Sequence, residues 1–291
     1  MTPGLAALIS PQAPAALAAH LRRDEAFVAH DCRNALAALG ALPMLASREA
    51  VLAAWPTLVS VHLPDLADEA SSIEVTPAIA RKLFANGMGL LFDDAHAHVA
   101  ELVPWLAALR AELGLAALTQ PRCLIYATPA GGGTAPHFDQ NVNCVLQLHG
   151  TKTWWLAPNT HVRHPLTRHT MGTPVDDELS TYATLPLPDA MPPDRREVIL
   201  APGSVLVVPR GMWHATRAAS DSLQLNFTFT APAWLDLLTA ALRSKLARSA
   251  AWRETAAPQD PARFEALLRE LADDAATWRA DDLLAATEGP P

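Results

Sequence analysis

Two short segments, some sixty residues apart, constrain this chain more than anything else in it. The first reads GGGTAPHFDQNVN (Gly131–Asn143) and the second GSVLVVPRGMWH (Gly203–His214). Residues two apart in a strand face the same way, so His137 and Asp139 point to one side. The second segment has the pattern G-x5-P-x-G-x2-H, carried by Gly203, Pro209, Gly211 and His214. Glycine and proline at those positions make tight turns that can deliver a histidine from a neighbouring strand. The intervening chain is long enough to cross several strands and return. A fold that satisfies both segments sets two sequence-distant strands side by side.

His137, Asp139 and His214 supply two histidines and one carboxylate. That is the facial triad of non-haem Fe(II) sites, which leaves coordination positions open. An HxD triplet by itself is a weak signal. The competing reading is a surface HxD and an unrelated core histidine; the two patterns together favour the metal.

The texture of the chain changes twice. Residues 1–118 are mostly helical in pattern, in AALAAHLRRDEAF, TPAIARKLFANG and HVAELVPWLAALRAELGL, with apolar residues three and four apart. Residues 119–231 break into strand-like runs: CLIYA, NCVLQL, KTWWLA, VLVV and LQLNFTF. Helical texture returns over 232–291, in AWLDLLTAALRSKLA and PARFEALLRELADDAATW.

In SLQLNFTFT, Ser222, Gln224, Asn226, Thr228 and Thr230 share one face; Leu223, Leu225, Phe227 and Phe229 share the other. In VNCVLQLH, Asn143 and Gln147 have the parity of His137 and Asp139, so an unbroken strand carries them to the metal's side. Those polar faces are expected to line a barrel cavity in preference to solvent. The connection from Pro158 to Glu197 holds His161, His164 and His169. It reads as a solvated loop, with a second metal site as the alternative.

Other classes are disfavoured. The net charge of -8 argues against a nucleic-acid surface. No apolar run is long enough to span a bilayer, and the start lacks a secretory pattern. Cys32, Cys123 and Cys144 form no CxxC unit and no even-numbered framework, which fits a reducing cytoplasm.

The stretches LIYATPAGGGTAPHFDQNVNCVLQLHGTKTWW and VILAPGSVLVVPRGMWHAT, followed by SLQLNFTF, resemble the JmjC-type Fe(II)/2-oxoglutarate oxygenases. Among these the chain looks most like the ribosomal-oxygenase (cupin-4) group, over roughly residues 75–232. The resemblance implies a double-stranded β-helix, the jelly-roll of the cupins, with flanking helices. It implies Fe(II), with 2-oxoglutarate and O2 as co-substrates, held by His137, Asp139 and His214. Lys152 stands fifteen positions after His137, where the family pairs a basic residue with the far carboxylate of 2-oxoglutarate. Thr134, Tyr126, Asn143 and Asn226 match further co-substrate or metal neighbours. Trp154, Trp155 and Trp213 flank the motif as candidate cleft walls, with core packing the commoner role.

The expected activity is hydroxylation of a side chain in a protein or peptide, such as a ribosomal protein or a ribosomally made peptide. A small-molecule hydroxylase and a non-catalytic metal-binding cupin remain as alternatives. Two departures from the group matter. Leu124 stands where the group often has an asparagine, and the stretch after the barrel has room for dimerisation helices but not for a winged helix. The stripe Leu235, Leu238, Ala241, Leu242 and Leu246 is expected to form a homodimer interface, with packing on its own barrel as the alternative.

Overall fold

The computed structural model describes residues 2–63, 71–257 and 259–281. The described residues of 2–115 and 120–230 form one compact unit; residues 116–119 and the described residues from 231 onward form a second.

The first unit holds thirteen strands among its described residues. They are β1 (Phe27–Ala29), β2 (Val59–His62), β3 (Ser72–Val75), β4 (Gly89–Phe92), β5 (Gln120–Thr128), β6 (Gly133–Phe138), β7 (Val142–His149), β8 (Lys152–Ala157), β9 (His169–Thr170), β10 (Arg196–Leu200), β11 (Val205–Val208), β12 (Trp213–Ala218) and β13 (Ser222–Thr230). They form two sheets, ordered β1-β11-β7-β13-β5-β4-β2-β3 and β10-β8-β12-β6-β9. Every pairing is antiparallel.

From β5 to β13 the chain shuttles between the sheets. β5, β7, β11 and β13 lie side by side in the larger sheet, and β6, β8, β10 and β12 in the smaller. This is the double-stranded β-helix, as expected from the sequence.

Alternation along β13 explains how the larger sheet is covered on both faces. Leu223, Leu225, Phe227 and Phe229 are buried in the main apolar cluster with Leu8, Leu17, Leu102 and Leu109 from the helical layer. Trp105, from the helix Val103–Glu112, stacks on Phe227 with ring centroids 6.3 Å apart. The alternate residues Gln224, Asn226 and Thr228 face a cavity between the sheets.

The helical patterns read in the first 118 residues correspond to helices such as Pro14–Leu21, Pro77–Ala85 and Val103–Glu112. That region also contributes β1 to β4, which extend the larger sheet at both ends. These strands have three or four residues each. Such lengths are too short to display a two-residue period. In AALAAHLRRDEAF the helical spacing stops at Leu21, and Phe27 opens β1.

The 159–196 segment is a largely exposed connection, as expected, with a buried apolar anchor. It forms β9 and the helix Asp177–Tyr182, and it buries Val162, Met171 and Leu179 against Phe138, Ala157 and Trp213. His161, His164 and His169 form no metal-ligating group among the described residues. Burial holds His169 below the ordinary histidine range, which favours its neutral form against Phe138 and Trp213.

The second unit contains the helices Trp234–Leu246 and Pro261–Ala275. Trp234, Leu235, Leu238, Phe264 and Leu268 are exposed on them.

Candidate metal centre and its cavity

His137 lies on β6 and His214 on β12, and the two are direct cross-strand partners. Asp139 sits just past the end of β6, two residues beyond His137. Phe138 between them points the other way and is fully buried. The Gly211 N–H donates to the Asp139 carbonyl at 2.8 Å, which ties the second motif's turn to the first. Gly211 has φ +84°, a backbone conformation that glycine adopts without strain.

Ligand atoms from these three side chains lie within 4.8 Å of one another. The His137 Nε2 is 4.0 Å and the His214 Nε2 3.6 Å from the Asp139 carboxylate. The Nδ1 of His137 lies 2.8 Å from the Ala135 carbonyl, and that of His214 3.0 Å from the Met212 carbonyl. A carbonyl only accepts, so each Nδ1 carries a proton, and in the neutral ring each Nε2 presents a lone pair. That tautomer is the one a metal-binding imidazole needs. The donor set therefore fits a divalent transition metal such as Fe(II), with room left for other ligands.

The carboxylate is held from both sides. Asn143 Nδ2 donates to Asp139 Oδ2 at 3.0 Å, and Arg168 Nε lies 3.2 Å from Oδ1. Asn143 is oriented in turn by Thr228 Oγ1 at 2.8 Å and Asn226 Nδ2 at 3.3 Å, both donating to its Oδ1. Burial acts to raise the Asp139 pKa. His137, His214, Arg168 and the Asn143 hydrogen bond outweigh it and hold the carboxyl below its usual range.

A cavity of about 320 Å³ opens beside the triad. All eight residues singled out in the sequence reach it: His137, Asp139, His214, Lys152, Thr134, Tyr126, Asn143 and Asn226. Lys152 is buried, and its Nζ donates to Thr128 Oγ1 and Gln224 Oε1, each at 3.0 Å. With Gln224 Oε1 so engaged, its Nε2 is left buried without a hydrogen-bond partner. An unpaired buried amide is costly, and an arriving acceptor such as a carboxylate would satisfy it. Thr134 Oγ1 lies 2.9 Å from Thr216 Oγ1, across the β6–β12 pair. Trp154 stacks on His214 at 5.7 Å and 20° and forms part of the cavity wall. Trp155 reaches Glu197 instead, and Trp213 is core.

Strand parity does not carry Gln147 to the cavity. The chain does not run unbroken from His137 to Gln147; it crosses between sheets through residues 139–141. Asn143 still faces the cavity, but Gln147 does not line it. Its Nε2 donates to the His149 and Gly150 carbonyls at the far end of β7. Arg168 and Gln224 were not among the residues singled out as ligand-binding. Gln224 carried the signal of its polar face; Arg168 carried none.

Residues 111–237 match the family model of the JmjC domain. The uncharacterized protein YxbC of Bacillus subtilis is 37% identical over 214 residues, covering 72% of this chain and 65% of that protein. Ribosomal oxygenase 1 of Bos taurus is 30% identical over 170 residues, covering 57% of this chain and 23% of that protein. The chain thus spans just under two thirds of the first relative's length and less than a quarter of the second's. Among solved structures, the Escherichia coli ribosomal oxygenase YcfD, in complex with cobalt and succinic acid, aligns over 83% of this chain and 61% of that one. Its TM-score is 0.47, at 17% identity.

Proposed function

Taking residues 111–237 as a JmjC domain, we propose that this chain is an Fe(II)- and 2-oxoglutarate-dependent oxygenase that hydroxylates a side chain of a protein or peptide. The observation that carries the reading is the triad: two imidazoles with Nδ1 on carbonyls and Nε2 turned to one carboxylate. His137, Asp139 and His214 would hold the metal. When bound, Fe(II) with 2-oxoglutarate and O2 supplies the oxidative decarboxylation and the C–H oxidation, releasing succinate and CO2.

The chain's own residues do the rest. Lys152 places a cation at the buried end of the cavity, where the far carboxylate of 2-oxoglutarate would lie. The Gln224 amide stands beside it as a second donor, and Tyr126 and Thr134 line the same cavity. Asn143 and Arg168 hold the metal carboxylate in place. Trp154 and Val145 exclude water from one wall.

A cavity of about 320 Å³ is at the small end for ligand sites. That size supports a co-substrate with one inserted side chain. A free amino acid fits the same volume, which keeps a small-molecule hydroxylase as the second reading. The name of the Bos taurus relative makes ribosomal proteins the first substrates to try. The exposed Trp234, Leu235, Leu238, Phe264 and Leu268 support self-association as a homodimer through residues 232–291. Sedimentation equilibrium of the intact chain tests that. No helix among the described residues is long and apolar enough to cross a membrane.

The deciding experiment is an anaerobic titration of the purified protein with Fe(II) and 2-oxoglutarate, with His137→Ala as control. A visible charge-transfer band that the substitution removes is the expected result. Substrate-stimulated succinate formation is then scored with ribosomal proteins, peptides and free amino acids. Iron binding without the band would replace the oxygenase reading with a non-catalytic metal-binding cupin.

A further inference from the structure

We propose that Arg168 is a positioning residue for the metal centre: it fixes the Asp139 carboxylate and so couples metal affinity to the 159–196 segment. The proposal rests on the metal-site reading above. Asp139 lies beyond the last residue of β6, outside the regular ladder, so its backbone alone does not fix its side-chain rotamer. Two donors do so, one on each oxygen. Asn143 comes from the barrel strand β7, and Arg168 comes from outside the barrel core.

The segment that carries Arg168 is pinned to both ligand-bearing motifs. On one side, His169 and Thr170 pair with Phe138 and His137. The Met171 N–H also donates to the Pro136 carbonyl at 2.8 Å. On the other side, Arg210 Nε donates to the Pro165 carbonyl at 2.8 Å. The Leu166 N–H donates to the Tyr182 hydroxyl at 3.0 Å, closing the segment on itself. Arg168 is thus held between the strand that delivers His137 and the turn that delivers His214.

The Arg168 side chain is 37% exposed. A salt bridge of that exposure adds little to global stability. Its consequence falls on the ligand it orients. A guanidinium–carboxylate contact is charge-assisted and directional, and a lysine's point charge does not reproduce its planar geometry.

The test is Co(II) titration of the full chain, read by calorimetry and by the visible d–d absorption, with metal-free melting temperature as a third readout. Arg163→Gln, an exposed arginine in the same segment, is the control. Arg168→Gln is expected to weaken Co(II) binding about tenfold, the scale for loss of an outer-shell partner, and to alter the d–d band. Arg168→Lys falls between, Arg163→Gln matches the parent, and the metal-free melting temperatures agree. Parent-like affinity and spectrum in Arg168→Gln overturn the proposal, even if its melting temperature drops. Tighter Co(II) binding also overturns it, because Arg168 would then compete with the metal for Asp139. A parent protein that binds no Co(II), or binds it equally as His137→Ala, overturns the metal-site reading itself and this proposal with it.

Discussion

His137 and His214 are cross-strand partners, and their rings tilt towards each other at a centroid separation of 4.1 Å. The metal site is therefore a property of strand register. The β6–β12 pairing shifts register between His214 and Thr216, immediately beside the ligand. A bulge next to a site re-aims a side chain that regular pairing would misplace.

Gly133 shows how close that pairing is. A Cβ there would collide with the Thr216 carbonyl oxygen. Gly133→Ala is expected to lower stability by about 2 kcal/mol or more, at the upper range for overpacking, and to weaken Co(II) binding. Urea unfolding of the metal-free protein and a Co(II) titration check the two parts.

Lys152 is expected to act on the co-substrate and not on the metal. A hydrogen bond to a charged group is worth about 1.5–3 kcal/mol, or about 10- to 100-fold in affinity. Lys152→Ala should raise the 2-oxoglutarate requirement by that factor while Co(II) binding stays intact. Loss of Co(II) binding in the variant would make Lys152 a structural residue.

Gln224→Glu offers a sharper contrast. It puts a carboxylate beside the Lys152 ammonium, where Gln224 Oε1 now accepts at 3.0 Å. The internal ion pair should exclude an external carboxylate. Calorimetry should detect no 2-oxoglutarate binding to Gln224→Glu, whereas Gln224→Leu retains weakened binding.

The cysteines should be inert in the folded state. All three are buried, and burial pushes Cys144 up to about 12; Cys32, beside Asp31 as well, rises to about 11. A raised thiol pKa contributes stability that is complete below the unfolded value of about 8.5 and is lost as pH climbs towards the folded value. Native protein at pH 8 should not react with a thiol-specific disulfide reagent, whereas urea-unfolded protein should release three equivalents. Stability should decline on the alkaline side, seen as a falling urea midpoint above about pH 8.5.

The triad's convergence was legible because its cues are local: a two-residue period in HFD and a Gly/Pro turn before His214. The barrel strands were legible because they are long and alternate. The short strands β1 to β4 carry too few residues to show a period, and they are set by packing at the ends of a sheet that already exists. Parity holds for Asn143 and Val145 and fails at Gln147 because that residue sits at the far end of β7, beyond the cavity, with its amide on the His149 and Gly150 carbonyls. Arg168 was invisible because its contact with Asp139 depends on how 159–196 folds. That path is set by apolar contacts of Val162, Met171 and Leu179 whose spacing matches neither regular period.

β13 has no solvent face. Asn226 and Thr228 belong to the wet side, Phe227 and Phe229 to the dry side, and all four are buried. A slip of one position would drive aromatic rings into the ligand chamber and amides into the oily layer at once. The strand therefore specifies its own register: Asn226 and Thr228 reach Asn143, which donates to Asp139, only when the polar face meets the chamber.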